Sequence, residues 1–289
     1  MRLRTSPNDL ERVCDNAENF YTCWDQEKNG KVRPIASPRA PLRGILDQLN
    51  NILQRLYFPE NLHGGIRGRS TRTYASAHVG RSVLLKFDLQ DFFPSIKSGR
   101  VYTLFREELG CSPNVARYLT RLTTHHGAVP QGSPTSTILA ALVTRPLAIR
   151  VSRLANSIDG RADMYVDDGV LSGPPYAGRF KRTIARVISQ EGFRAHPLKT
   201  KSVVATEEQV LTGIRVNTRI DAPREKIQLA KRRIQDVRAR VSRGERIPHR
   251  DLQSVRGLIR WIQSLNLGTG RSLMRQLTKA LGATSAQGS

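Results

Sequence analysis

The order of apolar and polar positions divides the chain into a mixed first part and a helical last part. Near the N-terminus, "SPNDLERVCDNAENFYTCW" sets capping-type residues before Leu10, Val13, Ala17 and Phe20. Those apolar positions have helical spacing and predict a helical lead-in over residues 1–30. In "KNGKVRPIASP" the pair Asn29 and Gly30 is a strong hairpin signal, with residues 32–35 predicted on the return strand. Leu42, Ile45, Leu49, Ile52, Leu53 and Leu56 then share one face of a predicted helix over 42–58. A Gly- and Arg-rich loop, "HGGIRGRSTRTYASAHVG", runs into a short helix. Residues 83–87 read as a buried strand ending on Asp88, and 98–124 read as helices. "GAVPQGSPTSTILAALVTRPLAIRVSRL" opens as a turn and continues as a long helix. "RADMYVDDGVLSG", residues 161–173, predicts a hairpin with Asp167 and Asp168 at its tip. A helix at 176–191 and a strand pair near 201–206 and 210–216 follow, and beyond Pro223 the period is helical throughout.

Charge narrows the range of partners. Lys and Arg number 47 against 24 Asp and Glu in 289 residues, a formal net charge of +23. Such an excess favours a polyanionic partner. Nucleic acid is expected rather than a membrane, because no apolar run approaches ~18 residues. Nor does the N-terminus carry a basic stretch followed by an apolar one. Cys14, Cys23 and Cys111 are odd in number and lack CxxC spacing, which points to reduced thiols in a cytosolic protein rather than disulfides or a zinc site. The length suits one large domain or two smaller ones, with a boundary expected near residue 220.

In so basic a chain, clustered acids stand out. Asp88 at a strand end can lie beside Asp167 and Asp168 at a hairpin tip if both belong to one antiparallel sheet. Carboxylate oxygens, completed by water and phosphate, are what Mg²⁺ prefers. Two such ions about 3.5–4 Å apart can clamp the attacking and leaving oxygens of a phosphoryl transfer. Taken alone, the pair reads more simply as a solvated Asp-Asp-Gly turn.

The acids have company. "YVDD" at 165–168 resembles the Tyr-x-Asp-Asp box of reverse transcriptases, and "FDLQDFFPSI" at 87–96 resembles the first catalytic motif of that family. "VPQGSPTS" at 129–136 is similar to its Pro-Gln-Gly-x-Pro motif, "HPLKTKSV" at 196–203 to its Lys-rich motif, and "KVRPIASP" at 31–38 to its fingers motif. All five stand in the family's order. The resemblance implies an α+β right-hand polymerase fold: fingers and palm, with an antiparallel palm sheet packed on helices, and a C-terminal helical thumb. It divides the chain into an N-terminal helix and fingers at 1–80, a palm at 81–220 with a fingers insertion within about 98–130, and a basic RNA-binding thumb at 221–289.

The family's roles carry over by position. Asp88 and Asp167 resemble shared ligands of two Mg²⁺ ions, for which Mn²⁺ can substitute. Asp168 is the third acid, and Leu89 contributes at the metal site. Leu89 and Gln90 lie where backbone amides would approach the triphosphate. Phe93 matches the steric gate against a 2′-hydroxyl, with a core aromatic as its plainer role. Gln131 and Gly132 match the loop against nucleotide and template. Lys31 and Arg33 are the fingers cations for the triphosphate. Lys199, or else Lys201, matches the proton donor to pyrophosphate.

The short chain is similar to the compact retron class of bacterial reverse transcriptases. "QVLTGIRVN" at 209–217 resembles its Val-Thr-Gly segment, with Leu211 for the Val. "YASAH" at 74–78 falls at its Asn-Ala-x-x-His segment, with Tyr74 for the Asn and His78 retained. The resemblance implies a structured non-coding RNA as template and primer, dNTPs as substrates, priming from a guanosine 2′-hydroxyl, and multicopy single-stranded DNA as product. It also implies a bacterial cytoplasmic setting, anti-phage defence and a separate effector protein, with no membrane. A non-retron defence reverse transcriptase, or a non-catalytic RNA-binding descendant, are the other readings.

The last segment suits RNA on its own chemistry. From Ala222 onward there are 15 Lys and Arg against four Asp and Glu. Ile227, Ala230, Ile234, Val237 and Val241 predict a packed face, beside a row of Lys226, Arg233 and Arg240 every seven residues. Leu252, Val255, Leu258, Ile259 and Ile262 predict a second packed face, with Arg256 and Arg260 outward and Trp261 expected to pack rather than stack on a base.

Overall fold

The computed structural model describes residues 6–28 and 30–282. They form two compact units, one of residues up to 74 with 82–203, the other of 75–81 with 204 onward.

In the first unit, Ser6 caps helix α1 (Pro7–Asp15) by accepting from the Asp9 amide. A 3₁₀ turn, Ala17–Phe20, leads into strand β1 (Tyr21–Lys28), which pairs antiparallel with β2 (Lys31–Pro38). The hairpin stands where Asn29 and Gly30 predict it, although Asn29 itself lies outside the described residues. The helical lead-in is shorter than expected. Residues 22–27 are polar or exposed and have no core to face, so the ladder with β2 rather than an apolar stripe fixes their conformation.

Helix α2 (Leu42–Leu53) buries Leu42, Ile45, Leu46, Leu49 and Leu53, while Ile52 and Leu56 are half-buried. Irregular chain follows to α3 (Thr71–Ser76), then β3 (Val83–Asp88) and the short α4 (Phe92–Ser95). Helix α5 (Ser98–Thr103), a π-helical turn Leu104–Glu108 and α6 (Pro113–Thr123) precede the buried α7 (Ser136–Asn156). Strands β4 (Arg161–Tyr165) and β5 (Asp168–Gly173) form the predicted hairpin; a 3₁₀ turn, Pro175–Phe180, and α8 (Lys181–Gln190) lead to β6 (Lys201–Val204). The sheet order is β4-β5-β3-β6, with β5 antiparallel to both its neighbours. Thus β6 joins the central sheet beside β3 instead of pairing with the segment that follows it. Its Val203 finds a buried position there.

In the second unit, β7 (Val210–Leu211) and β8 (Ile214–Arg215) make a small hairpin. Helices α9 (Arg224–Ser242), α10 (His249–Leu265) and α11 (Leu267–Gly282) share a core of Ala230, Ile234, Val237, Val255, Ile259, Ile262, Leu273 and Leu277. Trp261 packs against that core. No helix of the described residues is long and apolar enough to cross a membrane.

Candidate polymerase site

Two strands bring the acids together. Asp88 ends β3 directly opposite Asp168, which begins β5, and Tyr165 pairs with Asp168 on the other side. Val166 and Asp167 form the two-residue turn between them. The Leu89 amide donates to the Asp167 carbonyl at 3.0 Å, lacing the strand end to the turn. Asp88 is buried, and Lys199 Nζ donates to its Oδ2 at 2.5 Å. The His196 amide donates to the Asp88 carbonyl at 2.7 Å, and the His196 carbonyl accepts from the Lys199 and Thr200 amides. That turn delivers Lys199 to the acid; Lys201 lies two residues on, exposed, in β6.

The electrostatics follow from the crowding. Burial, then the Asp88 charge, pushes the Asp167 carboxyl up, against its own backbone amide and the cations Lys199 and Arg33. Asp168 is pushed up to about 6, first by burial, then by Asp167 and Asp88. Asp168 is exposed on one side and packed by protein on the other, so repulsion from two neighbouring carboxylates is the firmer cause. Carboxylates this close leave a demand for positive charge that one lysine does not meet.

The remaining sequence-predicted residues differ in their surroundings. Arg33 is exposed on β2, near enough to lower the Asp167 pKa; the side chain of Lys31 lies outside the described residues. Phe93 is half-buried in α4, its ring 5.4 Å from Phe92, and packs against the core. The Leu89 and Gln90 amides do not face open space: they donate to Asp167 and Arg194 carbonyls, the latter at 2.8 Å, which corrects the expectation that they approach a triphosphate. Gln131 gives its carbonyl to the Ala36 amide at 2.7 Å, tying its loop to β2. Gly132, at φ +115°, lies so close that a β-carbon would meet Ile35 Cγ2 at 2.9 Å. Close approach at this glycine is therefore to the β1–β2 hairpin.

Sequence reasoning missed the support behind the acids. Residues 61–64 run alongside β4: the Met164 amide donates to Asn61, and the His63 amide donates to Met164. Buried His63 bridges Thr73 Oγ1 at 3.0 Å and the fully buried Asp163 at 2.9 Å, and Asp163 also takes Arg161 Nε at 2.7 Å. Tyr74 is buried between His63 and Tyr165, with ring centroids at 5.6 and 5.9 Å. Burial, then the charges of Asp168, Asp163 and Asp167, pushes its phenol well up. The only signal in the sequence was the "HGG" run, whose glycines mark close backbone approach.

On the second unit, Arg256 and Arg260 are exposed as expected. The row on α9 is not free in the same way. Arg240 is ion-paired with Asp236, Glu245 and Asp251, and Arg233 donates to Ser254 Oγ of α10 at 2.9 Å. Lys226 is half-buried.

No protein-family profile matches the chain. The retron Mx162 reverse transcriptase of Myxococcus xanthus is 30% identical over 314 aligned residues, covering 96% of this chain and 64% of that protein. Retron Mx65 reverse transcriptase, from the same organism, is 29% identical over 92% of this chain and 66% of its own length. Retron Ec86 reverse transcriptase of Escherichia coli is 26% identical, over 96% and 86% respectively. The chain thus spans just under two thirds of the two Myxococcus proteins. Among solved structures, telomerase from Candida albicans in complex with a fragment of telomeric RNA matches with a TM-score of 0.53 over 88% of this chain and 56% of that one. Apo telomerase from Candida tropicalis matches at 0.52 over 90% and 58%. Both are 11% identical, a likeness of fold. The chain is thus similar along nearly its whole length to retron reverse transcriptases, and it carries an α+β right-hand polymerase fold like that of the telomerases.

Proposed function

We propose that the chain is an RNA-directed DNA polymerase that copies a cognate structured RNA into single-stranded DNA, primed from an RNA 2′-hydroxyl, in a retron serving anti-phage defence. The observation that carries the polymerase reading is the cross-strand pairing of Asp88 with Asp168, with Asp167 adjacent and Lys199 on Asp88. In this reading the first unit holds fingers and palm and the second a thumb that contacts RNA.

The donor set fits divalent cations of the Mg²⁺ kind: hard carboxylate oxygens, mutually repelling and short of positive charge. Asp88, Asp167 and Asp168 would hold them, with the Leu89 carbonyl as the further oxygen nearby. Bound there, the ions supply charge neutralisation at the attacking and leaving oxygens. The protein's own residues do the rest. Lys199 leaves Asp88 to give a proton to the departing pyrophosphate, Arg33 meets the triphosphate, Gln131 and Gly132 hold the loop against the hairpin beside the nucleotide, and Phe93 stands against a 2′-hydroxyl.

The test compares wild type with Asp167→Ala/Asp168→Ala on RNA template, dNTPs and Mg²⁺. DNA synthesis confined to wild type supports the reading; synthesis by both overturns the site. Sequencing of nucleic acid co-purified with the protein separates the classes: a branched RNA–DNA molecule supports the retron assignment, and unbranched cellular RNA counts against it.

A further inference from the structure

Away from the acids, three side chains distant in sequence meet on the first unit. His125 and Ala128 exchange backbone hydrogen bonds at 2.8 and 3.2 Å around a turn whose central residues, His126 and Gly127, have φ of +49° and +74°. This is the I′ pattern, in which histidine is one of the few side chains that tolerate the left-handed first position. The turn aims both imidazoles at one carboxylate from the 3₁₀ turn that enters β1. His125 Nε2 lies 3.4 Å and His126 Nδ1 3.2 Å from Glu18 Oε2. Glu18 Oε1 accepts the His126 amide at 3.0 Å, which fixes the carboxylate. The Tyr21 ring, centroid 4.4 Å from that of His125, backs the first imidazole.

We propose that Glu18, His125 and His126 form a binding site for a borderline divalent cation of the zinc type. A ligand atom from each residue lies within 4.8 Å of the other two. A tetrahedral cation with bonds of about 2.0–2.2 Å has ligand–ligand edges of roughly 3.3–3.5 Å. Two of the three edges here, 3.4 and 3.2 Å, are within about 0.1 Å of that range. The donor set, two imidazoles and a carboxylate, suits Zn²⁺, Ni²⁺ or Cu²⁺ over Mg²⁺, unlike the all-oxygen set at Asp88. The fourth position is open: His126 is exposed, and a cavity of about 530 Å³ beside it is lined by both histidines together with Cys23, Asp25 and Gln131. A bound cation ties the entrance of β1 to the turn that precedes the Pro130–Gln131–Gly132 loop, and so stiffens the base of the hairpin.

The experiment uses full-length protein stripped with a chelator and returned to saturating Mg²⁺. Titration with Co²⁺ is expected to give one equivalent with visible d–d absorption, displaced by Zn²⁺. His126→Ala and Glu18→Gln, both at exposed positions, are expected to weaken Co²⁺ binding by more than about 10-fold, as loss of even an outer-sphere partner does. Asp167→Ala/Asp168→Ala is expected to keep the band. No stoichiometric Co²⁺ binding under Mg²⁺, binding unchanged in both variants, or binding lost with the acids would each overturn the proposal and leave a plain Glu–His contact.

Discussion

Gly64 and Val166 compete for one space: a β-carbon added at Gly64 would lie 2.2 Å from Val166 Cγ2 and 2.6 Å from its backbone nitrogen. Val166 is itself held at φ +57°, in the turn that carries Asp167. A β-branched residue there is strained by about 1–3 kcal/mol, and the first position of such a turn ordinarily takes glycine. Gly64→Ala should therefore cost about 1–3 kcal/mol of stability and a larger share of polymerase activity. Val166→Gly in the same chain removes the clash with Cγ2 but not the one with the backbone nitrogen, so it should restore only part of both. Urea unfolding and primer extension on the double-mutant cycle check this; additive losses would refute the shared space.

Acid titration offers a second check. The native state keeps protons on Asp167 and Asp168 that the unfolded chain releases from about pH 4 upward. For Asp168 this lasts until about pH 6. More protons bound in the native state means that the contribution of these groups falls as pH rises through that window. In chelator, wild type should lose stability between about pH 4 and pH 6 relative to Asp168→Asn, and Mg²⁺ at neutral pH should recover it. Equal slopes for the two proteins would remove the repulsion argument.

Lys199 and Lys201 should separate cleanly. Only Lys199 reaches Asp88, at 2.5 Å. Lys199→Ala should lower kcat by about 10²-fold, the range for loss of a general acid. Lys201→Ala should stay near wild type. Single-turnover nucleotide addition is the measurement, and the reverse ranking would reassign the proton donor.

The arginines of the second unit should divide by environment. Arg256→Ala and Arg260→Ala should each weaken RNA binding and reduce the salt slope by roughly one unit, without loss of stability. Arg240→Ala should instead lower the melting temperature, because three carboxylates lose their cation. Salt-dependent binding and thermal unfolding of the three variants distinguish these outcomes.

Local patterns were legible where short-range geometry decides them. Asn29 and Gly30 announced the first hairpin, and "YVDD" announced the second together with its acids. The helical spacing up to Phe20 hid β1, because a solvent-facing ribbon has no apolar alternation to betray it. β6 was misassigned for a related reason: adjacency in sequence favours β7 and β8, whereas the sheet order depends on β3, over a hundred residues away. The contacts of His63 with Asp163, and of Glu18 with His125 and His126, span about as many residues. No spacing rule reaches that far. Arg240 fitted a seven-residue row of cations, and only the packing of α9 against α10 revealed the acids around it.

Residues 61–64 have a consequence beyond buttressing. β4 is the last strand of its sheet, and the Met164 amide and carbonyl next to the acidic turn would otherwise be open to another polypeptide. Asn61 and His63 occupy both groups, at 2.7 and 2.8 Å. Exposed strand edges invite intermolecular pairing, so this segment acts as a built-in selvedge. It keeps the strand that leads into the acidic turn from being extended by a neighbouring molecule when the protein is crowded.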